Sequence, residues 1–329
     1  MAEIGDRCQS DAGRLADTNP LRTCRSETSD AAAGLSNLAA ALGYSPDAKL
    51  LIIHADDLGM CHSVNSATFV ALERRAITST SIMVPCPWFT EAVDYLVRSP
   101  GVDLGVHLTL TSEWKHYKWR PVSPNAESTG LTDRYGNFVA DAQSLYAAPH
   151  EIEEEIAAQI RRALQSGLAP SHVDSHMSSL FRPEFIQSYL NVARSFGLPF
   201  FAPRWISDLL GATGTLFKAT DIIVDTFCQI TPSVAPSAWK EFYIGALRRL
   251  RPGLSQLIVH PGFDDHELRS IAGSSEPWGA EWRQRDFNIL VDKEFWSTVR
   301  ECGIQLVTWT LVRSVASVMP GLEPHESSH

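Results

Sequence analysis

Short apolar runs recur along this chain between stretches of helical periodicity. Residues 50–55, 78–84, 172–175, 199–202, 256–260 and 304–309 read as strands bounded by Pro, Gly or polar residues. Residues 102–110 (VDLGVHLTL) alternate: Val102, Leu104, Val106 and Leu108 share one face, and Gly105, His107 and Thr109 the other. Helices are expected over 35–42, 64–75, 89–98, 149–165, 184–196, 238–250 and 291–302. The clearest is 149–165, with Pro149 at its start and Ile152, Ile156, Ile160 and Leu164 recurring at helical spacing. Strand and helix alternate about seven times, the signature of a mostly parallel sheet with helical crossovers. The expected architecture is α/β: a (β/α) barrel, distorted or seven-stranded.

Three regions are less regular. Residues 111–148 form a long connection holding Trp114, Tyr117 and Trp119, and 205–231 carry no clear period. A polar loop with Trp278 and Trp282 is expected after His260-Pro261-Gly262. Residues 1–48 are a polar leader, partly disordered and containing one short helix, residues 49–318 a single barrel domain, and 319–329 a tail.

Composition narrows the function classes. The net charge is −10, from 28 basic and 38 acidic residues, which argues against a nucleic-acid partner. No apolar run is long enough to span a membrane, and no signal-peptide core is visible at the N-terminus. The six cysteines form no C-x-x-C pair, so reduced thiols in a cytoplasm are expected. Nine Trp offer flat faces that suit sugar rings, although packing accounts for most of them.

The chemistry concentrates at the carboxyl ends of four expected strands, where barrel enzymes place their catalytic groups. The clusters are Asp56-Asp57 in KLLIIHADDLGMCH, His107, His172-x-Asp174-x-His176, and His260-Pro261-Gly262. Singly, each has a plain explanation: a turn, a core histidine, a strand-end polar network. Together they supply two histidines and a carboxylate, a known solution for a divalent metal with open positions. Asp57, His107 and His176 are the expected ligands, Asp56 the base on a water that the metal acidifies, and His260 the acid. Zinc fits this ligand set best, with magnesium, manganese, cobalt and nickel open. His172, Asp174, Trp114, Trp119 and Arg204 are candidates for substrate contact. Arg283, Arg285 and Asp286, in WRQRDF, are expected to brace a loop by an ion pair.

The motifs HADDLG, VDLGVHLTLT, HVDSH and HPGF, in this order and at these gaps, resemble the YdjC-like carbohydrate deacetylases, which include the chitooligosaccharide deacetylases. The resemblance spans residues 50 to about 310. It implies a (β/α) barrel of the glycoside hydrolase and deacetylase type, and places ligands on Asp57, His107 and His176, the base on Asp56 and the acid on His260. The implied reaction is metal-dependent hydrolysis of the N-acetyl amide of an amino sugar or short N-acetylglucosamine oligosaccharide. The implied partner is a small carbohydrate; a homodimer is possible. The chain departs from the family pattern at His54, where Asn is frequent, and at Met177-Ser178-Ser179, where further histidines occur. Two alternatives remain: a glycoside hydrolase using paired carboxylates, and a non-catalytic sugar-binding barrel.

Overall fold

The computed structural model describes residues 38–124, 130–211, 216–218 and 221–316. The expectations for residues 1–37 and for the tail, 319–329, lie outside the described residues. In chain order come β1 (Lys49–Leu58), α1 (His62–Glu73), β2 (Ser79–Ile82), α2 (Phe89–Val97), β3 (Leu104–Leu108), α3 (Pro149–Gln165), β4 (His172–Ser175) and α4 (Ile186–Ser195). They are followed by α5 (Arg204–Gly211), β5 (Thr226–Gln229), α6 (Trp239–Arg249), β6 (Gly253–Val259), α7 (His266–Ala272), α8 (Ala280–Leu290), α9 (Lys293–Glu301), β7 (Ile304–Leu306) and α10 (Trp309–Ala316).

The strands pair in parallel in the order β4-β3-β2-β1-β6-β5, and β7 adds to the first residues of β1. Residues 199–204 join the two ends of this sheet. The Phe201 amide donates to the Val173 carbonyl at 2.8 Å, and the Val224 amide to the Ala202 carbonyl at 3.0 Å. The strand expected at 199–202 therefore exists only as two single bridges, Val173↔Phe200 and Pro203↔Val224. The result is a distorted (β/α) barrel.

Strand β1 shows why such runs are apolar throughout. Leu50 and Ile52 pack inside the ring with Phe201, Leu254, Ile258 and Trp309. Leu51, Ile53 and Ala55 face outward, onto Trp239 and Tyr243 of α6, Leu290 of α8 and Phe295 of α9. A parallel strand covered on both faces needs apolar side chains on both. Each fully buried Leu or Ile contributes about 1.5–3 kcal/mol.

The structure differs from the expected elements at four places. Strand β5 lies inside the region that showed no period, because its residues are half-buried on both faces and leave no alternation. Helix α5 starts that same region. Helices α7 and α8 replace the expected polar loop. Helix α8 was hidden because its buried face carries Arg283 and Asp286 among the apolar residues. Finally, Trp309 starts a helix instead of ending a strand. The Asp103 carboxylate accepts the first amides of α10, from Trp309 at 3.3 Å and Thr310 at 2.6 Å. That cap comes from across the barrel; the local signal is Thr308, whose hydroxyl accepts the Leu311 amide at 3.1 Å.

Trp309 fills one end of the ring. It is fully buried, its indole nitrogen donates to Gln256 at 3.0 Å, and its ring stacks on His172 at 5.0 Å. His172 in turn lies over Gly105: a Cβ there would come within 2.4 Å of its Nε2. Gly105→Ala is expected to cost about 1–3 kcal/mol by overpacking. Chemical denaturation measures this, and an unchanged midpoint would show that the His172 ring has room to move.

Candidate active site

Adjacent strand residues normally point to opposite faces. Asp56 and Asp57 escape that rule through a bulge. His54 and Ala55 pair with Ser79 and Thr80, but Leu58 pairs with Ile82, so β1 holds one residue more than β2. Asp57 takes up the excess in a left-handed conformation with φ 70°. That costs a non-glycine residue about 1–2 kcal/mol. Both carboxylates consequently line one cavity of about 730 Å³, together with His107, Asp174, His176 and His260.

Asp57 Oδ1 lies 3.4 Å from His107 Nε2 and 3.3 Å from His176 Nδ1, and the two nitrogens are 3.3 Å apart. The outer nitrogens of both rings are engaged by carboxylates: His107 Nδ1 with Asp174 Oδ1 at 2.8 Å, and His176 Nε2 with Glu113 Oε2 at 3.0 Å. In neutral rings those outer atoms carry the hydrogens. The inner nitrogens then present lone pairs to each other and to Asp57 Oδ1, which is buried and makes no hydrogen bond. Three electron-rich atoms at this spacing need a proton or a cation between them. Ligands about 2.0–2.1 Å from a tetrahedral ion sit about 3.3–3.4 Å apart, so the set fits a divalent metal such as zinc. The carboxylate behind each histidine fixes its ring, a usual support for metal-binding histidines.

Without an ion, the charges rearrange as this geometry demands. Burial alone would lower the His107 pKa, but Asp174 and Asp56 outweigh it and raise the group well above its ordinary value. Burial likewise opposes protonation of His176, yet Glu113 and Asp57 lift it to about 9. Burial works against the Asp57 charge too, but the Arg283 guanidinium and both histidines hold its carboxyl well below the usual range. Arg283 Nη2 donates to Asp57 Oδ2 at 2.7 Å, and both side chains are almost fully buried.

Asp56 and His260 flank the triangle. Burial raises the Asp56 carboxyl to about 6, with Asp174 and Asp57 adding and His107 and His54 opposing. Burial lowers His260 to about 3, with Asp57 opposing and Arg283, His107 and His176 adding. His260 Nε2 is 3.7 Å from Asp56 Oδ2. Asp286 positions His260 by accepting its backbone amide at 2.9 Å, while holding Trp239 and Tyr243 of α6. Gly262 leaves space for Arg283, whose Cβ a side chain there would meet at 2.9 Å.

The structure thus brings Asp56, Asp57, His107, His176 and His260 together. Trp114 also lines the cavity. Asp174 reaches it as the support of His107. His172 does not line it; the ring sits deeper, against Trp309. Trp119 is buried with its indole nitrogen on the Thr111 carbonyl, packed edge-on to His176. Arg204 is turned away into an ion pair with Asp225. Three residues were missed as site members: Arg283, Asp286 and Glu113. Arg283 and Asp286 lie on α8: Arg283 Nε braces the connection before that helix by donating to the Trp278 carbonyl at 2.7 Å, while its ion pair is with Asp57, and Asp286 holds His260. The only signal for Glu113 is an acidic residue soon after β3. Behind the triangle, His54 Nε2 meets Asp174 Oδ2 at 2.9 Å and Asp56 Oδ1 at 3.3 Å, and Ser81 joins the same network. His54, His172 and Asp174 also lie close enough to hold an ion, but Asp174 already spends both oxygens on neighbouring side chains.

Residues 50–301 match the model of the YdjC-like protein family. The chain belongs to that family. A carbohydrate deacetylase of Thermus thermophilus is 30% identical over 274 residues, covering 80% of this chain and 94% of its own length. One from Thermoanaerobacter pseudethanolicus is 25% identical, covering 80% of this chain and all of its own. In fold, the YdjC-like barrel is similar to a solved Enterococcus faecalis V583 structure described as a cellobiose-phosphate cleavage protein. The TM-score is 0.65 at 24% identity, covering 80% of this chain and 98% of that one. No helix among the described residues is long and apolar enough to cross a membrane.

At pH 7 the ion-free His176 holds a proton that a metal must displace. Zinc binding is therefore expected to release protons and to tighten as pH rises toward 9, roughly tenfold per pH unit for each proton displaced. Calorimetry in buffers of different ionisation enthalpy counts the protons; none released would contradict the site. Arg283→Met should cost about 1–3 kcal/mol in the ion-free protein, because the buried Oδ2 of Asp57 loses its donor. The loss should shrink with saturating zinc, which supplies the missing positive charge. An equal loss with and without zinc would show that Arg283 does not neutralise Asp57.

Proposed function

We propose that this protein hydrolyses the N-acetyl amide of an amino sugar or short N-acetylglucosamine oligosaccharide, releasing acetate and a free amine. The observation that carries this reading is the buried Asp57–His107–His176 triangle, with Asp56 and His260 on the same cavity. The relatives named carbohydrate deacetylase support it. A divalent cation in the triangle, zinc by its ligands and spacing, would polarise the amide carbonyl and acidify a water.

Asp56 accepts the proton of the attacking water. With a pKa near 6 it is ionised at neutral pH and still basic enough to work. His260 rests neutral, since burial holds it near 3, so it cannot begin as the acid. Its Nε2 stands 3.7 Å from Asp56 Oδ2; closing that gap by under about 1 Å lets it take the proton from Asp56 and pass it to the departing nitrogen as the C–N bond breaks. The proton lost by water ends on the amine. Arg283 keeps Asp57 ionised throughout, and Trp114 offers an aromatic face to the sugar. A glycoside hydrolase would need two carboxyl groups across the scissile bond, and Asp57 is committed to Arg283. The reading places the protein in a reducing cytoplasm, in keeping with the buried thiols of Cys61 and Cys86.

Acetate release from a panel of N-acetylated sugars, with chelation and metal add-back, tests the reaction. His107→Ala should lose activity and metal binding together; full activity in that variant would sink the assignment. Asp56→Asn should lose activity while keeping metal. Activity should fall with acid as Asp56 protonates, with the midpoint at or below about 6 because a bound cation favours the carboxylate. A rate that keeps rising as pH drops to 4 would rule out Asp56 as base.

A further inference from the structure

Backbone strain in this protein gathers at the cavity. Among the described residues, five non-glycine residues have positive φ: Asp57, Arg75, Met177, Ser178 and Trp278. All but Arg75 line the cavity. The bulge in β1 accounts for Asp57, and Met177 and Ser178 directly follow His176. Trp278 has no such account. It stands between α7 and α8 with φ 57°. A bulky residue rarely takes this conformation, and one that holds it beside a reaction cavity points to a use.

The turn around Trp278 is built to hold it. The Gly279 amide donates to the Glu276 carbonyl at 2.9 Å, and the Ala280 amide to the Gly273 carbonyl at 3.0 Å. A Cβ on Gly279 would meet three carbonyl oxygens at 3.0 Å or less. The Trp278 indole rests on Trp282, with ring centroids 5.3 Å apart and planes 31° apart, and Trp282 is buried edge-on against Trp239. Trp278 itself is only half-buried, so packing does not use up its surface.

Arg283 ties this aromatic wall to the triangle. Its Nε holds the Trp278 carbonyl and its Nη2 holds Asp57, each at 2.7 Å, so one guanidinium is all that separates the two. Its Nη1 is buried and has no hydrogen-bond partner among the described residues, and the side chain lines the cavity. A buried charged donor without a partner is costly, so a group bound in the cavity is its natural acceptor. An aromatic surface beside free N–H donors matches a pyranose, which offers a C–H face and hydroxyl oxygens. A purely apolar group would leave Nη1 unpaired.

We propose that Trp278 and Arg283 Nη1 form the sugar subsite beside the triangle. The indole stacks on the pyranose that carries the acetamido group, and Nη1 donates to one of its hydroxyls. This rests on the deacetylase reading above and names the residues that make it specific for a sugar.

The test uses the zinc-loaded full chain and acetate release from N-acetylglucosamine, N,N'-diacetylchitobiose and N-cyclohexylacetamide, whose ring has no hydroxyl. Both sugars should exceed N-cyclohexylacetamide in kcat/KM by at least about tenfold. Trp278→Leu should raise KM for the sugars about tenfold with kcat and zinc affinity unchanged, and Trp278→Phe should restore most of the loss. Trp278→Gly suits the left-handed backbone, so it keeps the fold if Trp278→Leu does not, and it should raise KM as well. Unchanged KM in both variants, or equal kcat/KM for the sugars and N-cyclohexylacetamide, overturns the subsite while the deacetylase reading stands. A joint fall in kcat and zinc affinity would make Trp278 a support of Arg283 and overturn the proposal. If no acetate is released, calorimetry with N,N'-diacetylchitobiose decides. Binding heat that Trp278→Leu abolishes overturns the deacetylase reading and keeps the subsite; heat that survives the change, or no heat, overturns both.

Discussion

Three electron-rich atoms are held within 3.4 Å of one another inside this barrel, and their mutual repulsion governs the site. Asp57 Oδ1, His107 Nε2 and His176 Nδ1 can coexist there only with positive charge among them. The protein supplies part of it from outside the triangle, through Arg283 on the far oxygen of Asp57. The remainder would come from protons in the ion-free protein and from a divalent cation where one is bound, as this cluster could hold one. The high affinity of His176 for a proton and the metal-binding geometry are therefore two expressions of one constraint.

Rigid supports keep the three atoms from relaxing apart. Asp174 and Glu113 hold the two rings from behind, and the bulge in β1 turns Asp57 toward them at the cost of a left-handed backbone. Each support belongs to a different element: β4, the connection after β3, and α8. Strain in one strand is stabilised by partners distant in sequence, as with the 226 positions between Asp57 and Arg283. Burial shifts Asp56 and His260 in opposite directions: it pushes the carboxyl up, with Asp174 and Asp57 adding and His107 opposing, and it pushes the imidazole down, with Asp57 opposing and Arg283 adding. In the proposed reaction these shifts suit Asp56 to accept a proton and His260 to receive it second.

Much of this was legible in the chain itself. The runs located six of the seven strands, wholly or in part: β1 is largely apolar on both faces, whereas β2 and β4 were marked by the apolar residues beside their buried Ser, Thr, His and Asp. Polar residues at the ends of those runs marked the cavity: Asp56, Asp57, His107, His176 and His260 stand where a core would not place them. The family resemblance rested on the same residues. Strand β5 and helix α8 escaped notice because burial there is shared with polar side chains, which erases the periodicity that betrays an element.

The sequence by itself determined which ionisable residues gather at the strand ends, and marked them as candidates for chemistry because burying such groups is costly. Only the tertiary structure decided how they meet. The pairing of β1 with β2 placed a bulge that turns two neighbouring carboxylates the same way. The packing of α8 brought Arg283 to Asp57 and Asp286 to His260. Asp103 reached across the barrel to start α10, while Trp119, His172 and Arg204 were drawn into packing or pairing away from the cavity. These outcomes depend on through-space contacts between segments far apart in the chain, and a local pattern of residues holds no record of them.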